Sequence, residues 1–314
     1  MANLQVNNEE REEAPNPYIF NPSLPWYRLL QIIIMSLTIA PVRLVLMSMT
    51  HLLGCLIALI TMFGIDDEEL ARAPLSGWKR SVRYFVFKLG RLGTMFSGYT
   101  WVKVKGTQAS PAEAPILVVA PHSTLMDIVI IFMLRDCPGI VAKKDIASMP
   151  VVGSLLKFTQ PILVSRDASQ TNQTVTEEIS RRSNSGGLWH QTLIFPEGTT
   201  TNRKALAPFK SGAFRAGRPV QPITVRFTDE WDTATWTWVG GPPGWVQGWL
   251  SMCKLNIGLT IEFLPIYHPS VEEMTNPNLY AENVQKVMAS SLGVSCSHLT
   301  IKDARNMAKL MKGS

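Results

Sequence analysis

A histidine and an aspartate stand at the start of an apolar run in the segment APHSTLMDIVIIF (residues 120–132). His122 and Asp127 are separated by four residues, and on one continuous helix such residues point about 140° apart and do not meet. If the helix begins between them, with Thr124 as its N-cap, Asp127 becomes the N3 residue and leans back toward His122. A carboxylate that holds one ring nitrogen leaves the other free to act as a general base.

The same residues also have a purely structural interpretation. The sequence T-L-M-D is a capping-box pattern, in which Asp127 only satisfies backbone amides at the start of a helix. A single H-x4-D pattern is therefore weak evidence of catalysis. A catalytic interpretation needs other polar groups that converge on the same place.

A second polar cluster follows a predicted strand in TLIFPEGTTTNRKALAPFKSGAF (residues 192–214). Gly198 permits a tight turn with exposed backbone donors, and the threonines after it can help to hold an anion. The alternative is a polar loop ahead of a solvated basic helix. Several cations that can face a phosphate follow the turn: Arg203, Lys204, Lys210, Arg215 and Arg218.

A third cluster, QPILVSRD, ends a predicted strand on Ser165 and Arg166. The carboxyl ends of strands are where open α/β sheets bind ligands, so Arg166 is a candidate for anion binding. Its alternative role is a surface ion pair with a group such as Asp167.

Short apolar runs alternate with helical patterns after residue 99, which indicates an α/β domain. The predicted strands are 101–105, 116–120, 140–142, 162–165, 192–195, 223–227 and 259–264. The predicted helices are 125–134, 146–158, 172–182, 210–216 and 281–292, followed by an amphipathic helix over 301–311. A capping box formed by Thr300 and Asp303 begins that last helix.

The composition favours a membrane or phosphate partner over a nucleic acid. Apolar residues make up 46% of the chain and charged residues 17%, against a typical charged share of about 25%. The net charge is +6, and no nucleic-acid-binding motif is present. The four cysteines match neither a disulfide framework nor a zinc site, so no metal and a reducing environment are expected.

Two apolar runs, 29–40 and 44–63, precede the α/β region. The second is long enough to span a bilayer, and Pro41 is expected to kink or break a helix between the two. One spanning helix and a hairpin that enters and leaves one leaflet are both compatible with this pattern, and two buried core helices are the alternative to membrane insertion.

The stretch from Arg72 to Lys105 contains eight basic residues and no acidic one, interleaved with aromatic residues. This composition predicts an amphipathic helix in the headgroup layer, on the cytosolic side by the positive-inside bias, although a solvated basic face is the alternative. The expected domains are a polar tail (1–24), membrane-inserted helices with the interfacial helix (25–98), and a catalytic domain (99–314). Five of the nine tryptophans lie in 231–249, in an irregular segment that either anchors at the interface or packs under a loop.

Taken together and in this order, the motifs resemble those of the H-x4-D glycerolipid acyltransferases. His122 and Asp127 match the first motif and Arg166 the second; Phe195 to Thr199 (FPEGT) match the third and Pro222 the fourth. HSTLMD and FPEGTTTN are most similar to the lysophosphatidylcholine acyltransferase branch. The resemblance implies that family's fold, a mixed and mostly parallel sheet flanked by helices, with an N-terminal helical membrane-anchoring segment.

The resemblance also implies the chemistry. His122 would deprotonate the glycerol hydroxyl of a lysophospholipid, which attacks acyl-CoA, and no cofactor is required. Backbone N–H groups near Gly198 or Ser123 are the expected oxyanion donors. The acceptor-binding positions implied are Arg166 for the phosphate, Glu197 for a glycerol hydroxyl or for holding Arg166, and also Gly198, Thr199 and Pro222.

The implied location is the endoplasmic reticulum membrane, with the catalytic domain in the cytosol. Rival interpretations are a lysophosphatidate or glycerol 3-phosphate acyltransferase, a thioester or phospholipid hydrolase, and a non-catalytic lipid-binding module. The remaining histidines have no partner spacing and are expected to be structural: His51, His190, His268 and His298.

Overall fold

The structure is a computed structural model that describes residues 14–20, 24–124, 127–143, 152–164, 168–228, 231–233, 235–237 and 242–313. The strands in chain order are β1 (Trp101–Lys105), β2 (Ile116–Ala120), β3 (Gly139–Lys143), β4 (Ile162–Val164), β5 (Thr192–Ile194), β6 (Ala205–Leu206), β7 (Val220–Phe227), β8 (Gly258–Phe263) and β9 (Ser295–Cys296).

The helices of the described residues, in chain order, are α1 (Trp26–Leu37), α2 (Ile39–Met62), α3 (Asp67–Arg72), α4 (Gly77–Phe96), α5 (Ile128–Met133), α6 (Val152–Phe158), α7 (Ala168–Ser183), α8 (Gly244–Met252), α9 (Val271–Thr275), α10 (Pro277–Leu292) and α11 (Ile301–Gly313).

A central sheet, seven-stranded over the described residues, has the order β1-β8-β7-β2-β5-β3-β4. All neighbouring pairs are parallel except β7 and β8, so the predicted mixed and mostly parallel sheet is confirmed. β6 and β9 form a separate parallel pair. Two predictions were wrong. The helix predicted over 210–216 is a 3-10 turn (Ser211–Ala213), and the tryptophan-rich segment contains the regular helix α8.

The central strand β2 explains why helices cover both faces of the sheet. Its sequence ILVVA is apolar on both faces, and all five residues are fully buried. Leu117 and Val119 face a core with α4 and α5, whereas Ile116, Val118 and Ala120 face a core with α10. Burial of each large side chain contributes about 1.5–3 kcal/mol. The strand therefore fixes the loop that follows it.

The two apolar helices are separated at Thr38, three residues before Pro41. Thr38 ends α1, and its hydroxyl donates to the carbonyl of Ile34 (2.7 Å). Pro41 lies in the first turn of α2, where helix N–H groups have no partner in any case, so it does not interrupt the helix. The expected break is present, but Pro41 does not form it.

The helix α4 joins the apolar helices to the sheet. Its residue Arg83 was predicted to face the lipid headgroups, but its side chain points into the domain instead. The Arg83 guanidinium is buried, donates to the Cys137 carbonyl and contacts His190 Nδ1 (3.2 Å). Burial and the nearby Arg83 and Arg182 hold the pKa of His190 well below its usual value, so the ring stays neutral. His190 is structural, as predicted.

The segment 14–20, predicted to be part of a polar tail, is packed into the α/β domain. Tyr18 is fully buried, and its hydroxyl donates to the Leu299 carbonyl (2.9 Å). The Asn202 side chain donates to the carbonyls of Asn16 (2.7 Å) and Ile19 (2.8 Å). The chain is thus fixed to the domain both before and after α1 and α2.

Candidate active site

The histidine and the aspartate of the first motif are in contact. His122 Nδ1 lies 2.6 Å from Asp127 Oδ2, and the same oxygen accepts the backbone N–H of Ser123 (2.8 Å) and of Thr124 (3.1 Å). The Asp127 carboxyl is buried, while a quarter of the His122 side chain is exposed. The three donors hold the carboxylate, and Nε2 of the imidazole remains for chemistry.

The turn of the third motif holds the backbone of His122 from both sides. Strands β2 and β5 are parallel neighbours, so His122 and the turn after β5 lie at the same edge of the sheet. Glu197 Oε1 accepts the N–H of His122 (2.7 Å), and the N–H of Thr201 donates to the carbonyl of His122 (2.7 Å). The turn therefore fixes the position of His122 through the backbone N–H and carbonyl of that residue.

Because Arg166 lies outside the described residues, the implied role of Glu197 in holding it stays a prediction. The alternative role, binding a glycerol hydroxyl, is not favoured by the contacts of Glu197. Its second oxygen, Oε2, accepts the N–H of Ala207 (3.0 Å), and the residue is 2% exposed. Both oxygens are therefore directed to backbone N–H groups, and neither faces a glycerol hydroxyl. Burial raises the pKa of Glu197 to about 7, opposed by these hydrogen bonds.

A groove of about 560 Å³ extends from the histidine into apolar surroundings. Phe195 stacks on the imidazole, with ring centroids 4.3 Å apart. The remaining apolar lining of the groove comes mainly from Ile131, Ile140, Val175, Ile179, Leu193 and Ile194. The arrangement combines a base with a channel that suits an alkyl chain.

The other predicted site residues are placed differently. Gly198 lines the groove in a turn with φ +64°, whereas Thr199 is buried beside it. Pro222 pairs with Val118 in the middle of β7, is buried and does not line the groove, so its role is to build the sheet. Arg166 lies outside the described residues, although β4, which precedes it, is parallel to β3 and ends at the same edge of the sheet.

The oxyanion donors were expected near Ser123 and Gly198, and the N–H groups of these two residues themselves already donate within the protein. The N–H of Ser123 donates to Asp127, and the N–H of Gly198 donates to the carbonyl of Phe195 (3.1 Å). Among the described residues, no group of three or more His, Cys, Asp and Glu side chains is arranged to hold a metal ion.

The tryptophan-rich segment contributes a support that sequence reasoning missed. The N–H of Trp236 donates to the Ser123 carbonyl (2.8 Å), next to His122. Asp232 bonds the N–H of Thr235 (3.0 Å) and forms an ion pair with Arg203, which follows the third motif. Trp231 is buried, as the alternative of packing under a loop predicts, whereas Trp245 is 78% exposed and its anchoring at the interface stays a prediction.

Comparison with known proteins supports the interpretation of this geometry. Residues 101–226 match the family model described as Acyltransferase. The chain is 41% identical over 283 residues to Lysophospholipid acyltransferase LPCAT4 of Homo sapiens, and the aligned region covers 90% of this chain and 53% of that protein. It is 40% identical over 301 residues to Lysophosphatidylcholine acyltransferase 1 of Rattus norvegicus, which covers 95% of this chain and 55% of that protein. Residues 101–226 are thus similar to the acyltransferase family.

These relatives are of the lysophospholipid acyltransferase branch that the sequence motifs resemble, and the chain spans about half the length of the curated relatives it matches. A solved structure supports the fold. The crystal structure of the 1-acyl-sn-glycerophosphate acyltransferase PlsC from Thermotoga maritima is similar with a TM-score of 0.52 and 18% identity. The similarity covers 85% of this chain and 96% of that one.

We predict that Glu197→Gln destabilises the protein by about 1–3 kcal/mol, the cost of leaving a buried group unsatisfied. An amide has one acceptor oxygen, so in either orientation its NH2 group faces a backbone N–H, that of His122 or of Ala207. Urea unfolding measures the loss, and Glu282→Gln, an exposed glutamate paired with Lys286, is the control.

The difference between wild type and Glu197→Gln is also expected to depend on pH. The pKa of Glu197 rises from the usual 4.5 to about 7 on folding, so the folded state holds the proton more tightly. The stabilisation of the folded state by this tighter proton binding is complete below pH 4.5 and is lost as the pH rises through 7. The stability difference is therefore expected to be larger at pH 5 than at pH 8. An equal difference at both pH values would contradict the assigned environment of Glu197.

Proposed function

We propose that this protein transfers a fatty acyl group from acyl-CoA to the free glycerol hydroxyl of a lysophospholipid, with lysophosphatidylcholine as the acceptor. The contact between His122 and Asp127 at the mouth of an apolar groove is the observation that carries the proposal. The names of the matched relatives supply the substrate class.

In the proposed reaction, Asp127 keeps the proton of His122 on Nδ1, and Nε2 removes the proton of the acceptor hydroxyl. The hydroxyl oxygen attacks the thioester carbonyl, and a tetrahedral intermediate forms. Its collapse forms the ester and breaks the carbon–sulfur bond, and CoA leaves as a thiolate that recovers the proton from the imidazolium. The buried carboxylate of Asp127 stabilises that imidazolium during the transfer.

Both substrates of this reaction carry long alkyl chains, which favours a site at a membrane. The helix α2 is long and apolar enough to cross a bilayer, whereas α1 has twelve residues and is about 18 Å long. The segments before α1 and after α2 both pack on the α/β domain, as the contacts of Asn202 and Arg83 demonstrate. A single spanning helix would place these segments on opposite sides of the membrane.

We therefore propose that α1 and α2 insert as a hairpin into one leaflet. Both ends of α2 lie against the domain: Arg43 donates to the Leu255 carbonyl (2.9 Å), and Met62 packs in a cluster with Phe158. The outward side of α2 exposes apolar side chains, including Leu52, Leu56 and Ile60. We further propose that the domain faces the cytosol, on the basis of the exposed basic residues in α4, and that the membrane is that of the endoplasmic reticulum, as the family resemblance implies.

We predict that the double substitution Leu52→Asp and Leu56→Asp releases the protein from membranes in alkaline carbonate. Each acidic side chain at an inserted position costs roughly 2.5–3.5 kcal/mol. The control is Val287→Asp, an exposed residue of α10 on the opposite face of the sheet. Full retention of the double variant in the membrane pellet would contradict the hairpin.

The proposed function is tested by supplying purified protein in vesicles with acyl-CoA and a panel of lysophospholipids, with the free thiol of CoA as the readout. Thiol release that requires lysophosphatidylcholine supports the proposal. Release without an acceptor indicates hydrolysis, a clear preference for lysophosphatidate reassigns the acceptor, and no release with any acceptor indicates a lipid-binding module.

A further inference from the structure

Lys210 lies at the mouth of the groove that contains His122. Its backbone N–H donates to the carbonyl of Pro196 (2.8 Å), which places the residue beside the turn of the third motif. The side chain lies across Gly198, since a Cβ atom built on that glycine would be 2.3 Å from Lys210 Nζ. The glycine thus leaves room for an ammonium group at the entrance of the groove.

The electrostatic surroundings of Lys210 favour an anion. Lys210 is exposed at the mouth of the groove, but partial desolvation there and, to a smaller extent, the positive charge of Arg305 lower its pKa. The two carboxylates of the site are directed elsewhere, Asp127 to the imidazole of His122 and Glu197 to two backbone N–H groups. The entrance of the groove therefore has a positive charge that these carboxylates do not neutralise.

We propose that Lys210 binds a phosphate group of a substrate, with Arg305 adding to the positive potential. This inference rests on the proposed function, in which both substrates carry phosphate: the lysophospholipid has a phosphodiester, and CoA has a pyrophosphate and a 3′-phosphate. An ammonium that contacts one of these groups holds the reacting end of that substrate near His122. Lys210 is thereby a binding residue additional to Arg166, whose role in phosphate binding the resemblance implies.

The test compares Lys210→Met with Lys210→Arg, and uses Lys204→Met as the matched control because Lys204 is exposed and does not line the groove. KM and kcat are measured for acyl-CoA and for lysophosphatidylcholine, and then with an acyl-pantetheine thioester, which lacks the nucleotide phosphates of CoA. Lys210→Met is expected to raise the KM of one substrate about tenfold or more, as loss of a charge-assisted hydrogen bond does, with kcat within about twofold. Lys210→Arg is expected to restore most of the KM.

The pattern identifies the source of the phosphate. If Lys210 binds CoA, the KM of acyl-CoA rises, and the variant and the wild type use acyl-pantetheine equally well. If Lys210 binds the acceptor, the KM of lysophosphatidylcholine rises with either donor. Unchanged KM values for both substrates, an equal effect of Lys204→Met, or a fall in kcat alone would overturn the proposal.

Failure of the proposed function is distinguishable from failure of this inference. If the wild-type chain transfers no acyl group, the proposed function is wrong whatever Lys210 does. The binding of CoA and of lysophosphatidylcholine is then measured directly, by calorimetry on the wild type and on Lys210→Met. Equal affinities of the two proteins for both ligands would overturn the assignment of Lys210, and a tenfold weaker binding of either would support it.

Discussion

Replacement of His122 by alanine is expected to lower the kcat of acyl transfer by about 10²–10⁴-fold, the usual contribution of a positioned general base. Among the described residues that line the groove, His122 is the one histidine, and its contact at Nδ1 leaves the ring nitrogen Nε2 open. Without it, the hydroxyl of the acceptor has to lose its proton to water. The measurement is thiol release from acyl-CoA with lysophosphatidylcholine under saturating conditions.

The structural cost of His122→Ala is expected to be small. The contacts that hold this loop are made by the backbone N–H and carbonyl of residue 122, and alanine keeps both. The control is His268→Ala, an exposed histidine away from the groove. A variant that folds and still acylates at a near-normal rate would remove the catalytic role of His122.

The second large effect is expected for Asp127→Asn, which keeps the shape of the side chain and removes its charge. Oδ2 accepts three hydrogen bonds, whereas Oδ1 is buried and has no hydrogen-bond partner among the described residues. The amide oxygen is expected to take the position of Oδ2, which leaves the NH2 group buried at the position of Oδ1. The loop keeps its hydrogen bonds, but the imidazolium loses its counter-charge.

We expect kcat of Asp127→Asn to fall about 10²–10⁴-fold with little change in the KM of either substrate. The buried NH2 group is expected to cost about 1–3 kcal/mol of stability, which urea unfolding measures separately. Asp303→Asn, a change in an exposed helix cap, serves as the control. A variant with unchanged kcat would show that Asp127 only caps the loop, the structural alternative for this motif.

The difference between Asp127 and Glu197 shows which roles the sequence can predict. Asp127 contacts residues three to five positions away, so the local rules for a strand followed by a helix are sufficient to predict the contact with His122. Glu197 bonds the N–H of a residue 75 positions away. The motif places a carboxylate in the site, but the pairing of β2 with β5 decides that this carboxylate binds backbone groups.

The same distinction applies to the segments that carry no motif. The segment 14–20 (APNPYIF) carries no motif or helical periodicity, and its contacts with Asn202 and Leu299 span more than 180 positions. The glycines and prolines of the tryptophan-rich segment predict an irregular conformation. The segment nevertheless contains most of the helix α8, which packing against α1 and α2 stabilises. In both cases the stabilising contacts come from distant parts of the chain, which local propensity does not describe.

The sequence by itself determined the alternating α/β pattern, the strand β2, the apolar helices and the contact between His122 and Asp127, because periodicity, capping and short spacing are local properties of the chain. Only the tertiary structure decided that the segments before and after the apolar helices pack on the same α/β domain, that Glu197 binds backbone N–H groups, and that Lys210 lines the groove. Those features depend on which strands become neighbours, and strand order is set by the packing of the whole domain.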